Sequence, residues 1–176
     1  MMPTSRSADA LIPAIPSLDE PIEMLIACHG RVRAFTDTLR KLAAYLPDHG
    51  CDDQAKRAAE NILRYFRIAA PKHHEDEEQD LFPALRQAGD SALTATLDAL
   101  EAEHQQLHGL WTRIEPELAA VAEGRGAALA DAEQFAATYQ AHAAREEREV
   151  FPEAVRLLDA QTLNRIGAAM TARRRN

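Results

Sequence analysis

The sequence predicts an all-α protein, an up-down-up-down bundle of four helices. Alanine occurs 35 times in 176 residues, and Gly and Pro together only 16 times, a composition that favours helix over strand and turn. Apolar residues recur at spacings of three and four through four long segments, and no stretch alternates as a strand would. The breaks between segments are short, so consecutive helices must turn back on one another.

The elements follow in order. Residues 1–17 hold three prolines and several small polar residues and read as a loose lead-in. Ser17-Leu18-Asp19-Glu20-Pro21 starts a helix with cap-type residues, early acids and an early proline. Ile22, Leu25, Ile26, His29, Val32, Leu39 and Leu46 then keep one face up to Pro47, and residues 48–52 make a turn. The second helix runs from about Asp53 to Arg86, with Ile62, Phe66, Ala69, His73, Glu77 and Leu81 in its stripe. Pro71 and Pro83 should bend it, and Gly89 closes it. The third begins near Asp90-Ser91 and carries Leu93, Leu97, Leu100, His104, Leu107 or His108, Trp111, Ile114 and Leu118. Gly124-Arg125-Gly126 breaks the chain. The fourth shows Leu129, Phe135, Tyr139, His142, Glu146 and Val150 and continues past Pro152 towards Leu158. The bundle therefore spans 18–160, and 161–176, with Arg173-Arg174-Arg175, reads as a frayed solubilising tail.

Charge and cysteine content narrow the function. With 20 Lys and Arg against 28 Asp and Glu, the formal charge is −8, opposite to the basic stripe of a nucleic-acid binder. No apolar run reaches the roughly 20 residues of a membrane span, and the N-terminal prolines and charges interrupt any signal-type segment. Cys28 and Cys51 form neither a disulfide framework nor a thiolate metal motif. Cys28 reads as a small buried hydrophobe, and both cysteines suit a reducing, cytoplasmic compartment.

The stripes carry the chemistry. Each core-facing stripe includes a potential ligand: His29 on the first helix, His73 and Glu77 on the second, His104 and His108 on the third, His142 and Glu146 on the fourth. Residues four apart on a helix differ by about 40° in azimuth and about 6 Å in height, so such a pair can hold one metal or bridge two. Left without metal, five imidazoles and two carboxylates in a core would carry a severe desolvation cost. Seven candidate ligands suit two ions, with Glu77 and Glu146 able to bridge them. An all-N,O donor set suits iron best, with manganese or zinc possible.

The second and fourth helices also repeat one another. Residues 73–83 align without gaps on 142–152, sharing H-x-x-x-E-E-x-x-[LV]-F-P. This register selects His73 over His74 and Glu77 over Glu78. His74 on the flank and His49 in a turn then read as solvated side chains, and the acids of 75–80 other than Glu77 as a wet face. Trp111 and Tyr139 read as core or pocket wall.

The doubled motif, with a lone upstream His and an E-H-x-x-x-H helix between the copies, resembles the hemerythrin-like (HHE cation-binding) proteins over roughly residues 20–158. That resemblance implies a four-helix bundle with two non-haem iron ions bridged by oxo or hydroxo oxygen and by carboxylates. By position its ligands would be His29, His73, Glu77, His104, His142 and Glu146, and His108 fits the seven-ligand pattern of oxygen-carrying hemerythrin. Hemerythrin proper has an Asp five residues after its fourth-helix His. Here Glu146 stands four after, as in repair-type and sensor-type relatives.

The resemblance thus implies a module that binds or senses a small diatomic ligand, dioxygen or nitric oxide, or handles iron. Donation of iron in iron–sulfur cluster repair is an alternative, although the N-terminal cysteine of that type has no counterpart in residues 1–17. A di-iron oxidase or peroxidase of ferritin type would need Glu-x-x-His on two helices, and Glu101-x-x-His104 occurs once. Binding therefore ranks ahead of catalysis.

Overall fold

The first helix, α1, spans Pro21–His49 in the computed structural model, which describes residues 20–175. The lead-in expected over 1–17 lies outside those residues. Pro21 occupies the first turn, where its missing N–H costs nothing. The helix runs through Pro47 and ends at Gly50, whose φ of 64° suits a residue without Cβ. A second helical column, α2, covers 53–88, and Asp52 caps its start by accepting from the Ala55 N–H at 2.9 Å. Asp90 caps α3 (Ser91–Ala122) in the same way through Leu93, again at 2.9 Å. The fourth long helix, α4, is Ala132–Glu149. No strand occurs among the described residues.

The prolines of the second and fourth helices accompany two different distortions. In α2 the backbone widens into π turns at Tyr65–Ala69 and Glu77–Leu81, each just ahead of a proline, Pro71 and Pro83. A proline lacks the N–H for the i−4 carbonyl and its ring crowds that carbonyl, and the extra residue in the turn relieves both. In α4 the equivalent Phe-Pro breaks the helix at Val150, and α5 (Phe151–Leu157) starts anew.

The chain beyond 160 is not a frayed tail. It forms a helix, α6 (Ala160–Arg175), which buries Ile166 and Met170 and packs on α1 and α2. The arginines that looked like a solvated end are its anchors. Arg173 binds Asp76 and Asp80, Arg174 binds Asp76, and Lys72 donates to the Arg173 carbonyl at 2.9 Å. Asp76, counted in the sequence as part of a wet face, is completely buried.

The core falls into two apolar layers. One gathers Leu39, Ile62, Phe66, Trp111, Ile114 and Phe135; the other gathers Leu25, Leu81, Phe82, Leu97, Leu100 and Phe151. The layers are separate because a buried polar layer lies between them, and that layer holds the histidines of the stripes.

Candidate metal centre

Six of the seven ligand candidates meet in this layer. His29, His73, Glu77, His104, His142 and Glu146 are all at most 3% exposed, and the histidines come from four different helices. They form two groups. His29 Nε2 faces His73 Nε2 at 3.1 Å, and His104 Nε2 faces His142 Nε2 at 3.0 Å. The two carboxylates span both. Glu77 turns Oε1 to His73 (3.3 Å) and Oε2 to His104 (3.5 Å). Glu146 turns Oε2 to His29 (3.1 Å) and Oε1 to His142 (3.3 Å).

This arrangement fits a pair of metal ions. None of the four carboxylate oxygens of Glu77 and Glu146 has a well-formed hydrogen bond, although all are buried. Buried polar atoms without partners cost about 1–3 kcal/mol each, more when charged, and are rare. Ligand nitrogens about 3 Å apart match one edge of a coordination shell with bonds of about 2.0–2.1 Å. Each group offers two imidazoles and one oxygen from each carboxylate, a hard-to-borderline donor set without sulfur.

Burial and mutual repulsion set the protonation of these side chains. Burial, with Glu146 alongside, pushes the Glu77 carboxyl well above its usual range. Burial acts in the same sense on Glu146, but the His142 and His29 contacts outweigh it and hold that carboxyl well below. Burial and the neighbouring His29 drop His73 far below the normal imidazole value, so it is neutral. His142 is raised against its burial by Glu146 and Glu103.

A second circle of carboxylates orients the rings. His29 Nδ1 donates to Glu147 (3.0 Å), His104 Nδ1 to Glu78 (2.6 Å) and His142 Nδ1 to Glu103 (2.8 Å). Arg33 grips Glu147 with two bonds of 2.9 Å, and Arg145 holds Glu103 at 2.6 Å. With the proton fixed on Nδ1, each Nε2 lone pair is free for a cation. Sequence reasoning missed these three acids, yet a signal existed. The motif repeats Glu-Glu, and in both copies the second Glu reaches the histidine of a neighbouring helix. Only His73 lacks such a partner, its Nδ1 being buried and unbonded.

His108 does not join the cluster. It is exposed, at the wall of a cavity of about 240 Å³ beside His104. The reason lies in the stride of α3, whose inward seam runs Leu93, Leu97, Leu100, His104, Leu107, Trp111, Ile114, Leu118 and Val121, with Leu110 buried alongside it. That alternation of four and three keeps one seam inward, and after His104 the inward position is Leu107. His74, read from the sequence as solvated, turns inward instead. It stacks on His104 with ring centroids 3.9 Å apart and shares a 2.8 Å hydrogen bond with the Tyr139 hydroxyl. Tyr139 is fully buried and lines the same cavity. His49 sits on the surface, stacked on Tyr45.

The sequence also matches known proteins. The chain is similar to an uncharacterized protein of Haemophilus influenzae, 37% identical over 158 residues that cover 89% of this chain and 91% of that one. Residues 20–154, which include all six clustered residues, match the hemerythrin HHE cation binding domain. The chain therefore belongs to the hemerythrin HHE cation binding domain family.

Proposed function

We propose that this protein is a non-haem di-iron protein of hemerythrin type that binds or senses dioxygen or nitric oxide, or handles iron. The observation that carries the reading is the pair of orphaned carboxylates, Glu77 and Glu146, each offering one oxygen to each of two imidazole pairs. His29 and His73 would hold one ion, His104 and His142 the other. Bound iron would supply redox activity and affinity for a small diatomic ligand.

The chain's own residues do the rest. Glu147, Glu78 and Glu103 hold three rings with Nε2 directed inward. The two apolar layers flank the centre and lower its dielectric, which strengthens the charge interactions within it. Two dipositive ions would meet the two carboxylates in a protein of formal charge −8. Glu101, the acid a ferritin-type oxidase would direct at its metals, pairs with Arg86 at 3.0 Å outside the cluster, which favours binding over that catalytic reading. Manganese and zinc suit the same donors less well.

Elemental analysis tests the reading. Protein produced in iron-replete medium should carry about two irons per chain, the number the two ligand groups accommodate. No metal, with helicity intact, would refute it.

A further inference from the structure

The two imidazole pairs are equivalent in the sequence repeat but not in their surroundings. A cavity of about 240 Å³ between α2, α3 and α4 ends at His74, His104 and Tyr139. Phe66, Trp111 and Phe135, all buried, also line it. The ring of His74 places a nitrogen within 4.8 Å of coordinating atoms of His104 and His142. The other pair is covered: Phe151 stacks on His29 with centroids 5.3 Å apart. In the repeat, the position of His74 is taken on α4 by Ala143, which is fully buried. The α4 helix makes its most extensive packing against α1. The side that carries His74 is therefore open, and the side that carries Ala143 is packed shut.

We propose that an exogenous ligand approaches through this cavity to the His104–His142 position, where His74 and Tyr139 hydrogen-bond it. The proposal rests on the two-metal reading given above. The cavity defines the ligand class. An apolar cavity of about 150 Å³ takes a benzene-sized molecule, so this one admits more than a diatomic. Glu75 and Glu78 also line it. The fitting ligand is a small molecule with a nitrogen or oxygen donor and an apolar substituent that fills the cavity. His74 and Tyr139 are positioning residues. Their hydrogen bond is formed before any ligand arrives, so little ordering remains on binding.

Cobalt(II)-loaded protein provides the test, because its visible spectrum reports coordination without redox change. Imidazole is the probe, added at mildly alkaline pH where it is uncharged. In the unaltered protein the spectrum should saturate. Ala70→Phe, which fills the cavity from its buried wall, should weaken imidazole at least about tenfold, with Ala70→Leu intermediate. Tyr139→Phe keeps the ring and removes the hydroxyl, and should weaken it about three- to tenfold with cobalt content unchanged. Ala58→Phe, at a separate surface crevice, should change nothing. Azide, which lacks a ring to fill the cavity, should lose less affinity than imidazole in Ala70→Phe. A wild-type spectrum that ignores imidazole, or an affinity unchanged in both the Ala70 variants and Tyr139→Phe, overturns the route; an equal loss for azide overturns the ligand class. Fewer than two cobalt ions per chain would instead defeat the two-metal reading, and is seen before any probe is added.

Discussion

Removing Arg173 and Arg174 should destabilise the whole bundle, because their partner is a fully buried charge. Asp76 is 0% exposed, and its two oxygens are taken separately, Oδ1 by Arg173 and Oδ2 by Arg174 at 2.6 Å. In Arg173→Ala/Arg174→Ala both guanidiniums are lost and the carboxylate stays behind. Breaking a buried pair in this way costs about 3–5 kcal/mol. The arginine side chains keep 14% and 29% exposure, so water reaches the vacated space and the lower figure, about 3 kcal/mol, applies. Against a total stability of about 5–15 kcal/mol that is a large fraction. It corresponds to a fall in Tm of roughly 6–12 °C for a chain of this size. Urea unfolding of the metal-free protein, followed by helical circular dichroism, measures it. Adding Asp76→Asn should recover more than half of the loss, since an amide carries no charge to strand. A loss below about 1 kcal/mol would show that the pairs behave as exposed ones and that α6 is not an anchor.

Four further outcomes follow from the centre. His73→Ala should lower metal content, whereas His74→Ala and His108→Ala should leave it near wild type; elemental analysis decides, and loss in His108→Ala would contradict the seam argument. Glu147→Ala frees the His29 ring and should weaken metal affinity about 10- to 100-fold, read by competition with a chromophoric chelator; an unchanged affinity would deny the outer carboxylates their orienting role. Loading should also release protons. Glu77 and His142 are both held above their ordinary values, the former by burial, the latter by Glu146 and Glu103 against its burial, and both must deprotonate, so affinity should fall as pH drops below neutral. In the metal-free protein the signs differ by group. The stability from His142 is present below its unfolded value and lost as pH rises through the raised one; that from Glu146 is present above its unfolded value and lost as pH falls through the lowered one. Titration in weak buffer and urea midpoints across pH check both, and a pH-independent affinity would contradict the first.

The all-α class and the six clustered residues were legible because both rest on periodicity. Burying a stripe and burying a ligand require the same spacing, so His29, His73, His104 and His142 announced themselves. His108 misled because four-residue spacing alone does not say whether the next inward step is three or four. That depends on the seam of α3, which is fixed by the neighbouring helices. His74 misled for the converse reason. The helix α2 faces α1 and α3 at once, so His73 can serve one neighbour and His74 the other. The terminal helix was hidden because three consecutive arginines carry no apolar signal. Their partners, Asp76 and Asp80, lie 93 to 98 residues earlier, and pairing at that separation leaves no local trace. The outer acids were masked by their number, since 28 acidic residues make any one of them look like solvated surface.

The outer carboxylates also make the two metal positions unequal. In both copies of the repeat the second Glu serves the histidine of an adjacent helix, Glu78 for His104 and Glu147 for His29. On α3 the residue before the ligand, Glu103, adds a bond to His142. On α1 the corresponding residue, before His29, is Cys28, and a thiol offers no carboxylate. His104 and His142 thus each have an anionic partner at Nδ1, while of the other pair only His29 has one and His73 has none. A carboxylate on the far nitrogen raises the basicity of the ligating one, so the His104–His142 position should bind a cation more tightly and fill first. Imidazole signals shifted by one equivalent of cobalt, followed by proton NMR, would locate it. They should disappear in His142→Ala and persist in His73→Ala. Persistence in His142→Ala with loss in His73→Ala would reverse the order and show that the neighbouring carboxylates do not rank the two positions.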